Sequence, residues 1–508
     1  MTLPRAWRPE PKWILLGPVI GAVSGAMAIA FYGSVEWCTR WLLGSLGGFF
    51  PPTIAADAGG FHPASGFARM WAIPLLAGAG ALIAAWLVFR VAPETEGHGT
   101  DVAIRAINTA PSGMRLRAMP VKMIASAVTI GSGGSGGSEG PTAQMAATSA
   151  SFIARVARLE YDEARVAVTA GLAAGVGAIF RAPLGGALLG VELLFRKDRE
   201  WTMLLPSLIA SGVAWVEFSA VYGWTPMFGH VPGMAITGPA QWVIFPVLGL
   251  ICGGLARLYA ATFYGVEWLV IRLRKRVRWR PLFPGVAGLA TGALGLGVPG
   301  VLGTGYGTIQ DVLSPDRVLH LSLLALLMMP LAKILGTSLS IGSGGSGGVF
   351  GPCMVVGATA GAALWRLAEG TGAHAVVPAS PALLAAVGMA ACLGAAAHSP
   401  LAITVIAAET CQSWWVLAAA LLAVPIAVTL MGTDSLYRAQ PRNRGELATH
   451  RKESREPAPE AAEVAAVAVG AAASEMISAS GTDRRAGSLL PESRAPQPPS
   501  SHRDTIGT

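Results

Sequence analysis

An all-α integral membrane protein, made of two related halves with helices broken near mid-membrane, is the fold this sequence predicts. Three observations carry that expectation. Hydrophobic residues make up 53% of the 508 and charged residues only 13%, with a mean hydropathy of +0.53; a soluble surface carries about twice that charge. The apolar residues recur in long blocks, many near the roughly 20 residues a helix needs to cross a hydrocarbon core. A glycine-rich stretch also occurs twice. Residues 130–141, IGSGGSGGSEGP, and 341–352, IGSGGSGGVFGP, agree at ten of twelve positions at an offset of 211, and Lys122 and Lys333 share that offset. A flexible linker has a similar composition. A linker would lie between polar segments, whereas these copies lie between apolar ones and each ends in Gly-Pro.

The elements follow in order. Arg5, Arg8 and Lys12 precede an apolar helix from 13 to 32 that extends to 46. Positive-inside reasoning puts residues 1–12 in the cytoplasm. The first apolar run is long and lacks a small-residue cleavage site, so no cleavable leader is expected. A Pro/Gly-rich outer loop at 47–66 leads to a returning span at 70–89. A short helix is expected at 101–110, and the apolar run 123–130 is too short to span by itself. Helices follow at 142–156, at 166–180 and, opened by Pro183, at 184–195. Apolar segments at 204–220 and 242–271 complete a first half, 13–271.

The run RLRKRVRWR at 272–280 carries six basic residues in nine. A nucleic-acid or anionic-lipid site can use such a run, but a cytoplasmic loop, 272–282, obeying the positive-inside rule is the simpler reading. No nucleic-acid partner is expected, only membrane lipid. The second half, 283–444, holds apolar segments at 283–301, 320–334, 353–367, 381–396, 401–408 and 414–430, with GTGYG at 303–307 and a polar turn at 311–317. From 445 to 508 the chain is polar and Ala/Pro/Ser-rich, and a disordered cytoplasmic tail is expected, with at most a weak helix at 461–477. Cys38, Cys252, Cys353, Cys392 and Cys411 lie in or beside apolar segments without metal-ligand spacing and read as small core residues.

A second, weaker repeat supports the two halves. Residues 171–192 and 388–409, at an offset of 217, agree at eight of twenty-two positions, including Pro183 with Pro400 and Glu192 with Glu409. If one glycine block is reached from the inner side and the other from the outer side, the halves are inverted. Inverted repeats with central broken helices are a transporter architecture.

The glycine blocks suggest a chemistry. A helix N-terminus presents unpaired N–H groups and partial positive charge, and glycine lets an anion approach the backbone. Pro141 and Pro352 fit a first helical turn. Two such ends meeting in the membrane would bind an anion with dipoles, loosely enough for turnover. A Walker phosphate loop would need Gly-Lys-Ser/Thr after the glycines, and neither copy has it. Glu139 stands out because an intramembrane carboxylate is costly and marks function. Ionised, it can take the anion's place; protonated, it can move away, which makes a gate and a proton carrier. The plainer reading is an acid capping a helix end.

With these residues in view, the chain resembles the CLC family of chloride channels and chloride/proton antiporters over roughly 13–440. GSEGP at 137–141 resembles that family's GREGP motif, GVFGP at 348–352 its GIFAP motif, and GHGTD at 97–101 stands where the family has GSGIP. Tyr437, in DSLYRAQ, resembles the tyrosine that closes the central site. The resemblance implies a homodimer with one pore per subunit, in the inner (plasma) membrane, with both termini cytoplasmic, no cofactor, and chloride as the transported ligand. It implies that the Val349 and Phe350 N–H groups and the Tyr437 hydroxyl surround a central anion. Ser138, Glu139 and Gly140 would form an outer site, with Glu139 as gate.

Two departures matter. His98 replaces the family's central serine. A neutral imidazole still donates a hydrogen bond, whereas imidazolium would bind chloride more strongly and make transport pH-sensitive; alternatively His98 faces an inner vestibule. Leu193 stands where proton-coupled members often carry an inner glutamate, and Glu192 and Glu409 read either as functional acids or as structural acids at helix ends. Loss of that glutamate favours a passive glutamate-gated chloride channel. The alternative is a chloride/proton antiporter using Glu139 with a different proton route, and a noncatalytic membrane scaffold is more distant. An enzyme is not expected, since no nucleophile–base pair or metal cluster stands out.

Overall fold

Backbone groups inside hydrocarbon must be paired within their own segment, and the described chain meets this with helices. The computed structural model describes residues 11–446 apart from 58 and 278; the expected N-terminal arginines and the tail beyond 446 lie outside the described residues. The helices are α1 (Lys12–Cys38, extended by a wider turn at Thr39–Leu46), α2 (Ala72–Val91), α3 (Thr100–Thr109), α4 (Ala118–Gly131), α5 (Glu139–Val156), α6 (Tyr161–Ile179), α7 (Pro183–Glu192) and α8 (Leu204–Tyr222). They continue with α9 (Ile244–Arg274), α10 (Leu282–Gly297), α11 (Tyr306–Val312), α12 (Pro315–His320), α13 (Leu323–Thr337, extended at Ser338–Gly342), α14 (Phe350–Gly370), α15 (Ala382–Ala397), α16 (Pro400–Cys411) and α17 (Trp414–Met431).

Six of these segments are long and apolar enough to cross a membrane: Lys12–Leu46, Ala72–Val91, Trp201–Tyr222, Pro239–Arg274, Leu323–Gly342 and Trp414–Met431. The 35-residue segment Lys12–Leu46 would be about 50 Å long at 1.5 Å per residue, well beyond the hydrocarbon thickness, so it fits only when tilted. The 14-residue α4 reaches only about 21 Å and ends inside the protein.

The packing reveals the duplication. Helices α1, α2, α4, α5, α6, α7 and α8 make the same neighbours among themselves as α9, α10, α13, α14, α15, α16 and α17 do. α3 and α11 correspond, and α12 takes the place of the tight turn Pro111–Gly113. Two expectations are corrected here. The long helix α9 packs on α14, α15 and α17 as α1 packs on α5, α6 and α8, so the halves divide between Tyr222 and Ile244 rather than at 271. The polar turn expected at 311–317 narrows to Leu313 and Ser314, between the short helices α11 and α12, because Pro315 sets the start of the second helix only three residues after the first ends.

The halves are inverted. Equivalent helices α2 and α10 run antiparallel. A Cβ on Gly285 would meet Leu82, one on Gly288 would meet Ala77, and one on Gly292 would meet Pro74, so one register climbs as the other falls. Small residues let these backbones approach, the usual source of cohesion between membrane helices. α7 and α16 also cross head to tail. Each starts with proline, whose missing N–H is no loss at that position, and neither has a cap from its own chain end. The caps come from across the pair. Glu409 accepts the N–H groups of Leu184 (3.2 Å) and Gly185 (2.8 Å), and Glu192 accepts that of Ala402 (2.8 Å). Negative charge at a helix N-terminus is stabilising, so each acid closes the other half's helix.

Candidate functional site

Each glycine block ends a helix, turns, and starts the next one inside the protein. Residues 129–151 and their counterparts 340–362 are buried throughout. The turns need backbone that only glycine adopts freely: Gly133 and Gly344 sit at φ +106° and +105°. The following helices, α5 and α14, begin at Glu139 and Phe350, three residues before the start expected for each, and this places Glu139 in a first turn. The two N-termini meet head to head. Gly137 and Gly348 exchange a pair of 2.7 Å hydrogen bonds, each N–H donating to the other's carbonyl. The serines lock this junction reciprocally. Ser135 Oγ lies 2.8 Å from Thr337 Oγ1, and its counterpart Ser346 Oγ lies 2.9 Å from Ser126 Oγ.

A third repeated element completes the frame. Gly97-His98-Gly99 and Gly303-Thr304-Gly305 both turn with positive φ at their glycines. The buried Lys122 ammonium donates to the carbonyls of Thr95 (3.0 Å) and Gly97 (2.7 Å). The buried Lys333 donates to those of Val301 and Gly303, both at 3.0 Å. The signal was present in the chain as P-x₃-G-x-G, at 93–99 and 299–305, but its offset of 206 differs from that of the glycine blocks.

Against this frame the expected site residues gather. Glu139 is buried, and its Oε2 accepts the Gly351 N–H at 3.2 Å, while Ser138 Oγ stands 3.4 Å from Oε1. The carboxylate therefore lies over the N-terminus of α14, whose first N–H groups have no partner within the helix. Gly351 was not among the expected residues. Val349 and Phe350 are fully buried beside it. Gly140 abuts the first-half turn: a Cβ there would be 2.2 Å from the His98 carbonyl oxygen. Tyr437 is fully buried in the irregular segment after α17, its ring 5.4 Å from that of Phe350 and 5.3 Å from that of His98, and its hydroxyl has no hydrogen-bond partner. Gln440 pins this segment by donating to the carbonyls of Leu193 (2.9 Å) and Ala397 (3.1 Å).

Two cavities flank the junction. One, of about 310 Å³, is lined by His98, Asp101, Glu96, Glu267 and Arg274. The other, of about 400 Å³, is lined by Ser138, Thr304 and Tyr306. His98 is thus both at the cavity wall and in contact with Tyr437. Tyr306 was also missed by sequence reasoning. Its buried hydroxyl has no partner and points at Gly351, where a Cβ would lie 2.5 Å away. Leu193 is fully buried, and the neighbouring Glu192 is occupied by Ala402 and by Arg199 at 3.0 Å. Glu192 and Glu409 thus both sit at helix ends, each capping a helix of the other half.

Known proteins are similar to this chain in sequence and in fold. Residues 80–432 match the profile described as voltage gated chloride channel. The chain is 27% identical to the H(+)/Cl(-) exchange transporter ClcA of Vibrio campbellii, over 82% of this chain and 84% of that one. It is 30% identical to a protein of Ralstonia nicotianae described as putative chloride channel protein ClcB-like, over 85% and 97%. In fold it is similar to a slow cyanobacterial Cl-/H+ antiporter, with a TM-score of 0.71 and 19% identity over 88% of this chain and all of that one. A CLC-type fluoride/proton antiporter gives 0.69 and 20%, over 85% and 98%. With its inverted halves, its head-to-head glycine junction and a profile match over most of its length, the chain belongs to the CLC family of voltage gated chloride channels and their antiporter relatives.

Proposed function

We propose that the protein moves chloride across the membrane in exchange for protons, with Glu139 as gate and proton carrier. The observation that carries this reading is the buried Glu139 carboxylate on the Gly351 N–H, where two helix N-termini meet. An ionised carboxylate there competes with an anion for the same donors. Protonation removes its charge and frees it to leave, so anion entry and proton uptake alternate. The Val349 and Phe350 N–H groups, the Tyr437 hydroxyl and His98 hold the central anion, and Ser138, Glu139 and Gly140 the outer one. The protein works as a homodimer with one pore per subunit in the inner membrane, both termini and the His98 cavity on the cytoplasmic side. Relatives from several Vibrio strains are named H(+)/Cl(-) exchange transporters, which supports exchange over the passive channel expected from Leu193.

The passive channel stays as a second reading on one observation: Leu193 is buried and apolar, and Glu192 is engaged as a helix cap. Purified protein in liposomes separates the two. With a chloride gradient and no proton gradient, exchange drives protons uphill and reverses with the gradient. A channel passes chloride with no coupled proton movement.

A further inference from the structure

Exchange requires that protons reach Glu139, and the cavity bordered by His98 ends against the same junction; this inference rests on the exchange reading above. The titratable groups near that path differ in how they are held. Lys122 is engaged by two carbonyls. Glu192 caps α16 and pairs with Arg199. Of the acids lining the cavity, Glu96 pairs with Arg274 at 2.9 Å and Glu267 faces Arg438 at 3.9 Å. Arg105 also lines the cavity, and the Tyr264 hydroxyl there donates to the Leu436 carbonyl. Asp101 turns one carboxylate oxygen to the Ala439 N–H (3.3 Å) and the other to His98 Nε2 (3.5 Å).

His98 stands across the boundary. Its side chain is 7% exposed, its Nε2 faces Asp101 on the cavity side, and its Nδ1 is buried with no hydrogen-bond partner. Beside it the Tyr437 hydroxyl is buried and equally unpartnered. A buried polar atom left without a partner is costly, and these two belong to rings that meet at one junction, with centroids 5.3 Å apart. The His98 carbonyl touches Gly140, the residue after Glu139.

We propose that His98 is the proton relay between the Asp101-lined cavity and Glu139. A neutral ring protonated on Nδ1 takes a proton at Nε2 from the cavity side and becomes imidazolium. It then releases the Nδ1 proton towards the anion site, leaving the neutral ring protonated on Nε2, and Glu139 accepts the proton on a carboxylate oxygen. Only N–H and O–H bonds change, and rotation of the ring or reversed transfer restores the first tautomer. Histidine suits this role because its two nitrogens exchange a proton near neutral pH.

The test is the ratio of protons to chloride moved by the full chain in liposomes, with both fluxes recorded together. In His98→Ser the ratio is expected to fall by about a hundredfold, the scale of a lost proton-transfer group, whatever the change in chloride rate. His98→Gln keeps a polar side chain of similar reach that cannot carry a proton, and it decides by the same ratio if the serine variant does not fold. Asp101→Asn is expected to slow the proton flux in the same direction. A wild-type ratio in either His98 variant overturns the relay alone. Absence of coupled protons in the wild type itself would sink the exchange reading, and the relay with it.

Discussion

Where the first half places Ser138 and Glu139 at the start of α5, the second places Val349 and Phe350 at the start of α14. Where the first turn holds His98, the second holds Thr304. Everything that supports these positions is repeated: the positive-φ glycines, the lysine under each Gly-x-Gly turn, the serine locks and the acids exchanged between α7 and α16. The groups proposed to take up or release protons, Glu139 and His98, are not repeated. Duplication thus separates frame from chemistry, because a residue kept in both halves is explained by the backbone it supports. A titratable residue present in only one needs another reason to be buried.

That comparison can be broken by experiment, and the largest effect is expected at the unpaired acid. Glu139→Gln should fold as the wild type by circular dichroism and lose coupled proton movement by at least about a hundredfold, with the pH dependence of chloride flux lost as well. An unchanged pH profile would return Glu139 to the role of a helix cap.

The next effect falls on the frame. Lys122→Met or Lys333→Met removes the ammonium's hydrogen bonds to two or three buried carbonyls, at about 1–3 kcal/mol for each bond lost. Both variants should lower the thermal midpoint in detergent by similar amounts. A large loss in one and none in the other would show that the halves do not share the load.

A smaller effect is expected for Glu192→Gln and Glu409→Gln. Each weakens a charged helix cap by about 1 kcal/mol, with Glu192 the more sensitive because it also holds Arg199. The proton-to-chloride ratio should stay at the wild-type value in both. A changed ratio in Glu192→Gln alone would move that residue from frame to chemistry. The smallest effect is expected for Tyr306→Phe, which keeps the ring against Gly351 and removes its hydroxyl. Chloride affinity, read by titration calorimetry, should fall by about two- to fivefold, the scale of one modest hydrogen bond.

The sequence by itself determined the membrane class, the two glycine blocks, nearly every helix and the place of Glu139 beside the glycine turn. These follow from local causes: apolar runs of spanning length, glycine and proline at turns, and the cost of a carboxylate among apolar residues. Its limits lie where distant segments meet. The match of α9 to α1 was hidden because their sequences share a length and apolar character but no motif. Gly351 as the partner of Glu139, the exchange of Glu192 and Glu409, and the contact of His98 with Tyr437 join residues more than two hundred positions apart. No periodicity encodes such pairs. They are decided when the inverted halves pack, since that packing chooses which unpaired N–H meets which carboxylate and which ring nitrogen is left without a partner.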